Sequence, residues 1–445
     1  MENYLEKNWK EYFKDLRGLI KIPSFLIARD DYPNVAHKEA LKYMEDLANF
    51  YGMKSFTNKD GYYGYIEIGQ GKEMIGILGH LDVVAPGELD LWNTNPFELV
   101  EKENKIIGRG ANDDKGPLML SFYLMKELLE NKTPLNKRIR LIYATDEESF
   151  WRGITKYVEN GEEQPTMGWT PDAIFPPIYG EKTIYEYKLS FKEKLNFELN
   201  GGTGLNTVSP KATYKGKNVK QVQEKMDELG FKYELNNDGS LSALGIPMHA
   251  EKSATQGINA NARLIKAVAM VEDSKLLNFV AKYIGTETTG DTLFNAHYED
   301  ETGPISSNIG LIKTTPEGLE VSMDSRVPLF VINWEEIEKE VIKNCKKENI
   351  TYEQHRVLNK IYMNKNDSFI QILLNAYKDV NKDENAVPIL IGAGTYARSM
   401  KNIIAFGPFF KGTPDTAHQA NEYSLKTDLI KAYSIYTAAL DKLLK

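Results

Sequence analysis

Two apolar segments that run straight into acidic or histidine residues constrain the fold of this chain most. Residues 74–78 lead into His80 and Asp82, and the segment RIRLIYA at 138–144 leads into the acids of TDEES. Continuous apolar runs of this length are typical of strands covered on both faces of a sheet. Segments with a helical spacing of apolar residues lie between these runs. The order predicts an α/β fold whose functional side chains gather at the carboxyl ends of the strands.

The character of the sequence changes near Glu186 and changes back near Met363. We predict a catalytic domain from residues 1–186 and 363–445, with a central mixed, mostly parallel sheet flanked by helices. Residues 187–362 alternate strand and helix patterns of their own and are predicted to form an inserted α+β domain.

The segment that follows the first apolar run carries two local predictions. A polar strand is expected from Leu99 to Ile107. After the loop GRGANDDKGP a helix is expected, with Asp113 or Asp114 as its N-cap and Pro117 in its first turn.

The composition excludes several classes of function. With 42% hydrophobic and 27% charged residues the chain resembles an ordinary soluble globular protein, and its net charge of -8 leaves no basic stripe for nucleic acid or an anionic membrane. No apolar run approaches the roughly 20 residues that cross a bilayer. The single cysteine, Cys345, excludes an intramolecular disulfide and a thiolate zinc cluster. We therefore expect a cytoplasmic protein in which any metal is held by histidine and carboxylate.

Acidic and histidine clusters follow the predicted strands or lie in loops beside them. They are HLD (His80, Asp82), NDDKG (Asp113, Asp114), TDEES (146–149), WTPDAIF (Asp172) and DTAHQANE (415–422). Side chains two apart on a strand share a face, so Asp82 is placed to orient His80 as a metal ligand. Histidine and carboxylate without cysteine form the ligand set of hydrolytic zinc, cobalt or manganese sites. The alternative for each cluster alone is a solvated turn or a helix cap.

The same clusters, in this order, resemble a known family. The order H-x-D, G-R-G-x-x-D-x-K-G, D-E-E, P-D and D-T-A-H-Q extends over nearly the whole chain, from about residue 20 to about 420. It is similar to the dinuclear metallopeptidases that include aminoacylase, carnosinase and carboxypeptidase G, and in particular to unspecific bacterial dipeptidases of the Xaa-His type. The resemblance implies hydrolysis of dipeptides with free termini by a water that bridges two metal ions.

The resemblance also implies the ligands of the two metal ions. Asp113 would bridge them. His80 and Asp172 would complete the shell of one ion, and Glu148 and His418 would complete the shell of the other. Zinc is the first choice of metal, with manganese and cobalt as alternatives.

Two further residues of the catalytic domain acquire roles from the resemblance. Asp82 would orient His80. Adjacent side chains project differently, so Glu147 is free to face the bridging water as general base while Glu148 binds metal.

In the inserted domain the resemblance implies a lid that binds substrate. His249 would donate a hydrogen bond to the tetrahedral oxyanion, with Asn206 assisting, and Arg326 would clasp the C-terminal carboxylate of the dipeptide. The alternative is a purely structural role for these residues, in which Asn206 is a turn residue and Arg326 pairs with Asp324 in its own strand. The insertion is nearly twice the length of the lid of about a hundred residues through which many relatives dimerise, and we expect a monomer whose only partner is a small peptide.

Two other functions compete with a dipeptidase. One is an N-acyl amino acid deacylase of the desuccinylase or deacetylase type, which differs in the pocket for the amino end of the substrate. The other is a non-catalytic scaffold on the same fold. The presence of Glu147 argues against a scaffold, because a degenerate site has no reason to keep a carboxylate that binds no metal.

Overall fold

The computed structural model describes residues 2–252 and 256–445, and these form two compact units. Unit 1 consists of Met1–Tyr179, Met363–Ile389 and Thr395–Lys445, and unit 2 consists of Gly180–Tyr362 and Leu390–Gly394. Within the described ranges, no helix combines the length and the apolar character that crossing a membrane requires.

The α-helices follow one another along the chain with short 3-10 turns between some of them. They are α1 Tyr4–Lys7, α2 Trp9–Ile20, α3 Val35–Phe50, α4 Lys115–Glu130, α5 Arg152–Glu159, α6 Val219–Glu228, α7 Ala260–Val268, α8 Lys275–Tyr283, α9 Asp291–Phe294, α10 Trp334–Glu348, α11 Ser368–Asn381 and α12 Lys426–Leu443.

The strands are mostly short. They are β1 Lys54–Thr57, β2 Tyr63–Ile68, β3 Met74–His80, β4 Val100–Lys102, β5 Lys105–Ile107, β6 Arg138–Ala144, β7 Met167–Thr170, β8 Ala173–Ile174, β9 Ile178–Glu181, β10 Thr183–Lys192, β11 Glu198–Gly201, β12 Lys211–Lys215, β13 Tyr233–Leu235, β14 Leu241–Leu244, β15 Glu299–Asp300, β16 Gly303–Pro304, β17 Ser306–Thr315, β18 Gly318–Val327, β19 Thr351–Leu358, β20 Ile361–Tyr362, β21 Ile389–Ile391, β22 Ile403–Ala405, β23 Pro408–Phe409 and β24 Tyr423–Leu425.

The main sheet of unit 1 is mixed, with strands in the order β1-β2-β6-β3-β7-β22. The four strands β6, β3, β7 and β22 are parallel neighbours, and β2 and β1 add to them antiparallel. Strand β3 is buried along its whole length, as expected of a strand covered on both faces. Helix α4 packs against β3, α2 and α12, and its buried stretch runs from Lys115 to Lys126. The α/β class is confirmed.

A local side-chain bond caps the start of α3, whereas the start of α4 is held by a long-range one. Asn34 accepts the backbone N–H of His37 at the start of α3, which satisfies a donor without a helical partner. Asp114 occupies the N-cap position of α4 but makes no side-chain cap bond there; its Oδ2 accepts the backbone N–H of His80 at 3.0 Å instead. The start of α4 is therefore tied to the end of β3.

The single strand expected at 99–107 is wrong. The segment forms the hairpin β4–β5, in which Val100 pairs with Ile107. Glu103 at the turn has a φ of +56°, in the left-handed region, and this reverses the chain.

Unit 2 contains an antiparallel sheet in the order β13-β14-β12-β11-β17-β18-β10-β19. Helices α6, α7, α8 and α10 contribute apolar side chains to the same core as this sheet. Representative buried members are Tyr187, Leu199, Leu264, Val280 and Val321.

Candidate metal centre

The parallel strands of unit 1 deliver candidate ligands to one edge of the sheet. His80 is the last residue of β3 and pairs in register with Ala144, the last residue of β6. The loop after β6 carries Glu147 and Glu148, and Asp172 comes two residues after β7. Because neighbouring parallel strands end at the same edge, residues that are far apart in sequence meet there, as the sequence predicted.

The side chains form two groups that could each hold a metal ion. One group is His80, Glu147 and Asp172, and the other is Asp113, Glu148 and His418; within each group the ligand atoms lie within 4.8 Å of one another. The structure thus assembles all of the predicted metal ligands, together with Glu147.

Asp113 contacts the histidines of both groups. Its Oδ1 lies 2.9 Å from His80 Nε2, and its Oδ2 lies 3.2 Å from His418 Nε2. A carboxylate whose two oxygens face two different imidazoles is placed to bridge two cations. The surroundings are unequal, because the His80 side chain is 1% exposed and that of His418 is 44% exposed.

Asp82 makes hydrogen bonds with His80 and with the loop that carries Glu147 and Glu148. His80 Nδ1 lies 2.9 Å from the Asp82 carbonyl oxygen, which can only accept, so Nδ1 carries the proton and Nε2 is left to bind metal. The Asp82 carboxylate accepts the backbone N–H groups of Glu147 and Glu148, each at 3.0 Å. The carboxylate therefore sets the turn that separates these two side chains, a contact that the sequence did not indicate.

The carboxylates of the centre are crowded and poorly solvated. Burial raises the pKa of Glu147 well above its ordinary value, and the charges of Glu148 and Asp113 raise it further. Burial also raises the pKa of Asp172, again with a contribution from Asp113. The pKa of Glu148 is raised by burial and by the same neighbour.

The pKa values of both histidines are raised as well, which favours their charged form. The charge of Glu148 raises the pKa of His418 well above its ordinary value. For His80, burial opposes protonation, but hydrogen bonds with Asp113 and Asp82 outweigh it and raise the pKa. Protons are therefore favoured on the three crowded carboxyls and on both histidines. At Asp113 the hydrogen bonds with His418 and His80 outweigh burial and lower the pKa, so this carboxylate stays ionised.

This donor set fits two divalent cations. Two such ions would balance the charge of four ionised carboxylates, and imidazole with carboxylate oxygen suits zinc, manganese or cobalt. The residues that would hold them are His80, Asp113, Asp172, Glu148 and His418.

A comparison with known proteins decides the family. Residues 76–442 match the model of Peptidase family M20/M25/M40. The chain belongs to this peptidase family. The resemblance seen in the sequence is confirmed, and members of the family use divalent metals.

Relatives of this peptidase match it over nearly its whole length. A protein of Staphylococcus epidermidis with a provisional dipeptidase name is 32% identical over 97% of this chain and 98% of its own. A second, from Staphylococcus haemolyticus, also provisionally named a dipeptidase, is 31% identical over 96% of this chain and 95% of its own.

Two solved structures share the fold of the peptidase. Human carnosine dipeptidase 1 has a TM-score of 0.63 at 14% identity, over 99% of this chain and 97% of its own. The aminoacylhistidine dipeptidase from Vibrio alginolyticus has a TM-score of 0.58 at 13% identity, over 97% of this chain and 96% of its own.

Sequence reasoning missed two buried residues beside the centre of the peptidase. The ring of Tyr396 lies edge-on to that of His80, with centroids 6.1 Å apart. Lys115 is fully buried in unit 1, where its Nζ donates to the carbonyl oxygens of Leu19 and Ile22, and burial lowers its pKa to about 7. The cluster NDDKG includes Lys115 but does not indicate these contacts, and Tyr396 lies outside the clusters that the sequence analysis singled out.

The structure places the three predicted lid residues within unit 2. Thr207 and His249 form an isolated β-bridge, and the N–H of Ala250 donates to the carbonyl oxygen of Asn206 at 2.8 Å. Asn206 and His249 are thus neighbours. The His249 side chain is 36% exposed.

Arg326 pairs with a carboxylate of its own strand. Its Nε and Nη2 each donate to Asp324 at 2.6 Å, and its Nη1 donates to the carbonyl oxygen of Gly392 at 2.9 Å. Arg326 is 2% exposed. The structural alternative, a pair between Arg326 and Asp324, is therefore present in the structure. The role of Arg326 toward substrate stays a prediction.

Proposed function

We propose that the chain is a metal-dependent dipeptidase that hydrolyses dipeptides with free termini, of the unspecific Xaa-His type. The observation that carries the proposal is that the two oxygens of the Asp113 carboxylate contact His80 and His418, one histidine from each ligand group. Two cations bridged in this way would acidify an attacking water and polarise the scissile carbonyl. The dipeptidase names of the two staphylococcal relatives support the substrate class.

Glu147 is assigned the proton transfers. It lies with His80 and Asp172, where it can serve either as a ligand or as a base. The ligand set implied by the family resemblance consists of five other residues and does not include it. Its carboxylate takes a proton from the attacking water and returns it to the nitrogen of the leaving amine. Burial supports this role, because a carboxyl whose pKa is raised toward the working pH is a more effective proton carrier.

Residues of unit 2 are proposed to bind the substrate. His249 donates to the oxyanion and Asn206 assists it. The closeness of these two residues within unit 2 supports a shared role. Arg326 is proposed to hold the C-terminal carboxylate. Its three observed bonds use three of the five N–H donors of a guanidinium, which leaves two for a substrate.

A substrate panel tests the function. Metal-free protein is reloaded with zinc, manganese or cobalt and assayed on free dipeptides, dipeptide amides, and N-acetyl and N-succinyl amino acids. We expect turnover of free dipeptides, including Xaa-His. Activity confined to the acylated amino acids would establish the deacylase instead.

A mixing experiment tests the proposed monomer. We expect sedimentation at assay concentration to show a single chain, and a mixture of His249→Ala and Glu147→Gln proteins to remain inactive. Recovery of activity in the mixture would show that one site takes residues from two chains.

A further inference from the structure

Glu422 is a fully buried carboxylate that accepts three backbone hydrogen bonds from one loop. Its Oε1 accepts the N–H groups of Gly110 and Asn112 at 2.9 Å and that of Asp113 at 3.1 Å. Three donors converging on one oxygen fix the course of the loop that carries the proposed bridging ligand. Removing a buried carboxylate that accepts several hydrogen bonds leaves its donors unpaired and lowers the stability of the fold.

The other oxygen of Glu422 is paired with a cation. Its Oε2 accepts from Arg109 Nη1 at 2.5 Å, and both side chains are 1% exposed. Arg109 also donates to the carbonyl oxygen of Ala85 at 3.3 Å. Both oxygens of the Glu422 carboxylate therefore accept hydrogen bonds from protein groups, and these bonds hold the loop in place.

Glu422 also joins two distant parts of the chain. Its carbonyl oxygen accepts the N–H of Gly108 at 2.9 Å, and β24 continues from it as the antiparallel partner of β5. His418 lies four residues before it in the same loop. The residue therefore connects the backbone of Asp113 with the segment that carries His418, although Asp113 and Glu422 are 309 residues apart.

We propose that Glu422 is a positioning residue that holds the Asp113 loop and the His418 loop in register and thereby sets the metal affinity of the centre. The inference rests on the proposed metal-dependent function. Partners behind the ligands orient them, and their loss typically weakens metal binding by about 10- to 100-fold. Asp113 contacts the histidines of both groups, so a shift of its backbone disturbs both metal positions.

Cobalt titration of metal-free protein tests this role. The Glu422→Gln variant keeps one acceptor oxygen but loses the ion pair with Arg109, and we expect its cobalt affinity, read from the visible absorption of the bound ion, to fall by about 10- to 100-fold. Glu272→Gln is the matched control. It alters another buried carboxylate, which accepts from Tyr214 and Asn218 in unit 2, and its cobalt affinity should equal that of the parent.

A third variant separates the inference from the function on which it rests. Asp113→Asn removes the bridging charge itself. If Asp113→Asn binds two cobalt ions as tightly as the parent does, Asp113 is not the bridging ligand and the proposed arrangement of the centre is refuted. If Asp113→Asn loses affinity while Glu422→Gln matches the parent, only the positioning role is overturned.

Two measurements guard against a variant that does not fold. The double variant Arg109→Met with Glu422→Gln leaves no unpaired guanidinium and is titrated in the same way. In the unaltered metal-free protein, the N–H groups of Gly110, Asn112 and Asp113 should exchange with solvent as slowly as those of the core strand β3. Exchange at the rate of an exposed loop would overturn the inference without any substitution.

Discussion

Buried carboxylates are compensated differently in unit 2 and in the candidate metal centre of unit 1. In unit 2, Asp324 receives two donors from Arg326, and Glu186 receives two from Arg356. In the centre of unit 1, the ion-pair partners of Asp113, Glu148 and Asp172 are the imidazoles of His80 and His418. A guanidinium is always charged, whereas an imidazole is charged only when it has bound a proton.

The difference shows what each cluster requires from outside the protein. The Arg–carboxylate pairs of unit 2 are neutral within themselves and need no ligand. The centre of unit 1 becomes neutral only by binding protons or cations, since an isolated buried charge is strongly disfavoured. A cluster of carboxylates is thus evidence for a cation site when the protein supplies no permanent positive charge to it.

Metal removal should have the largest effect and should reverse the pH dependence of stability. In the metal-free folded state, Glu147, Glu148 and Asp172 have raised pKa values and retain protons that the unfolded chain has released. The folded state then binds more protons, so the free energy of unfolding falls as pH rises above about 4, by about 1.4 kcal/mol per pH unit for each proton of difference. His80 and His418 act in the same direction above about 6.5.

The metal-loaded protein should show the opposite slope, because metal binding needs deprotonated ligands. Urea unfolding from pH 5 to pH 8, with and without chelator, measures both slopes, and chelation should also abolish peptidase activity. A metal-free protein that grows more stable across this range would contradict the view that the centre lacks positive charge.

Breaking the pair in unit 2 should cost stability that no metal restores. Arg326→Met leaves Asp324 buried without its partner and should lower the free energy of unfolding by about 3–5 kcal/mol. The double variant Arg326→Met with Asp324→Leu removes both charges and should recover most of this loss. Urea denaturation measures both variants, and equal losses in the two would show that packing, and not the unpaired charge, accounts for the effect.

The same contrast shows how far the sequence could predict the site. The apolar runs before His80 and before the acids Glu147 and Glu148 indicate strands, and parallel strands bring their ends together, so that part of the centre could be predicted from the sequence. Spacing alone also allowed the Arg326–Asp324 pair, because residues two apart share a face of a strand.

Other contacts had no local signal. The bond from the Asp113 backbone to Glu422 spans 309 residues, and the turn at Glu147 depends on Asp82 at a separation of 65. The reversal at Glu103 was also missed, because a glutamate in the left-handed region is uncommon and the flanking polar residues look like one strand. Long-range side-chain to backbone bonds need the assembled fold before they can be recognised.

Within the centre, a neutral substitution should separate catalysis from metal binding. Glu147→Gln should leave the metal content unchanged and lower kcat by at least about a hundredfold, or about 2.7 kcal/mol, the amount that general base catalysis typically supplies. Glu163→Gln, which alters an exposed carboxylate paired with Arg138, serves as the control and should keep full activity. Metal analysis beside steady-state kinetics decides the outcome, and loss of metal with unchanged turnover per bound ion would make Glu147 a ligand.

The smallest effect on stability and activity is expected at the buried thiol of Cys345, which is neutral at neutral pH. Cys345 on α10 is 1% exposed, and burial raises the pKa of its thiol to about 12, so it needs neither a partner nor a cation at neutral pH. Cys345→Ala should therefore cost only about 1 kcal/mol of packing and leave kcat unchanged. In the parent, an aromatic disulfide reagent should label the thiol in urea but hardly at all under native conditions, because both burial and the raised pKa suppress the reactive thiolate. Rapid labelling of the native protein would show that this part of unit 2 opens readily, and the contrast between a self-sufficient unit 2 and a metal-dependent centre in unit 1 would then weaken.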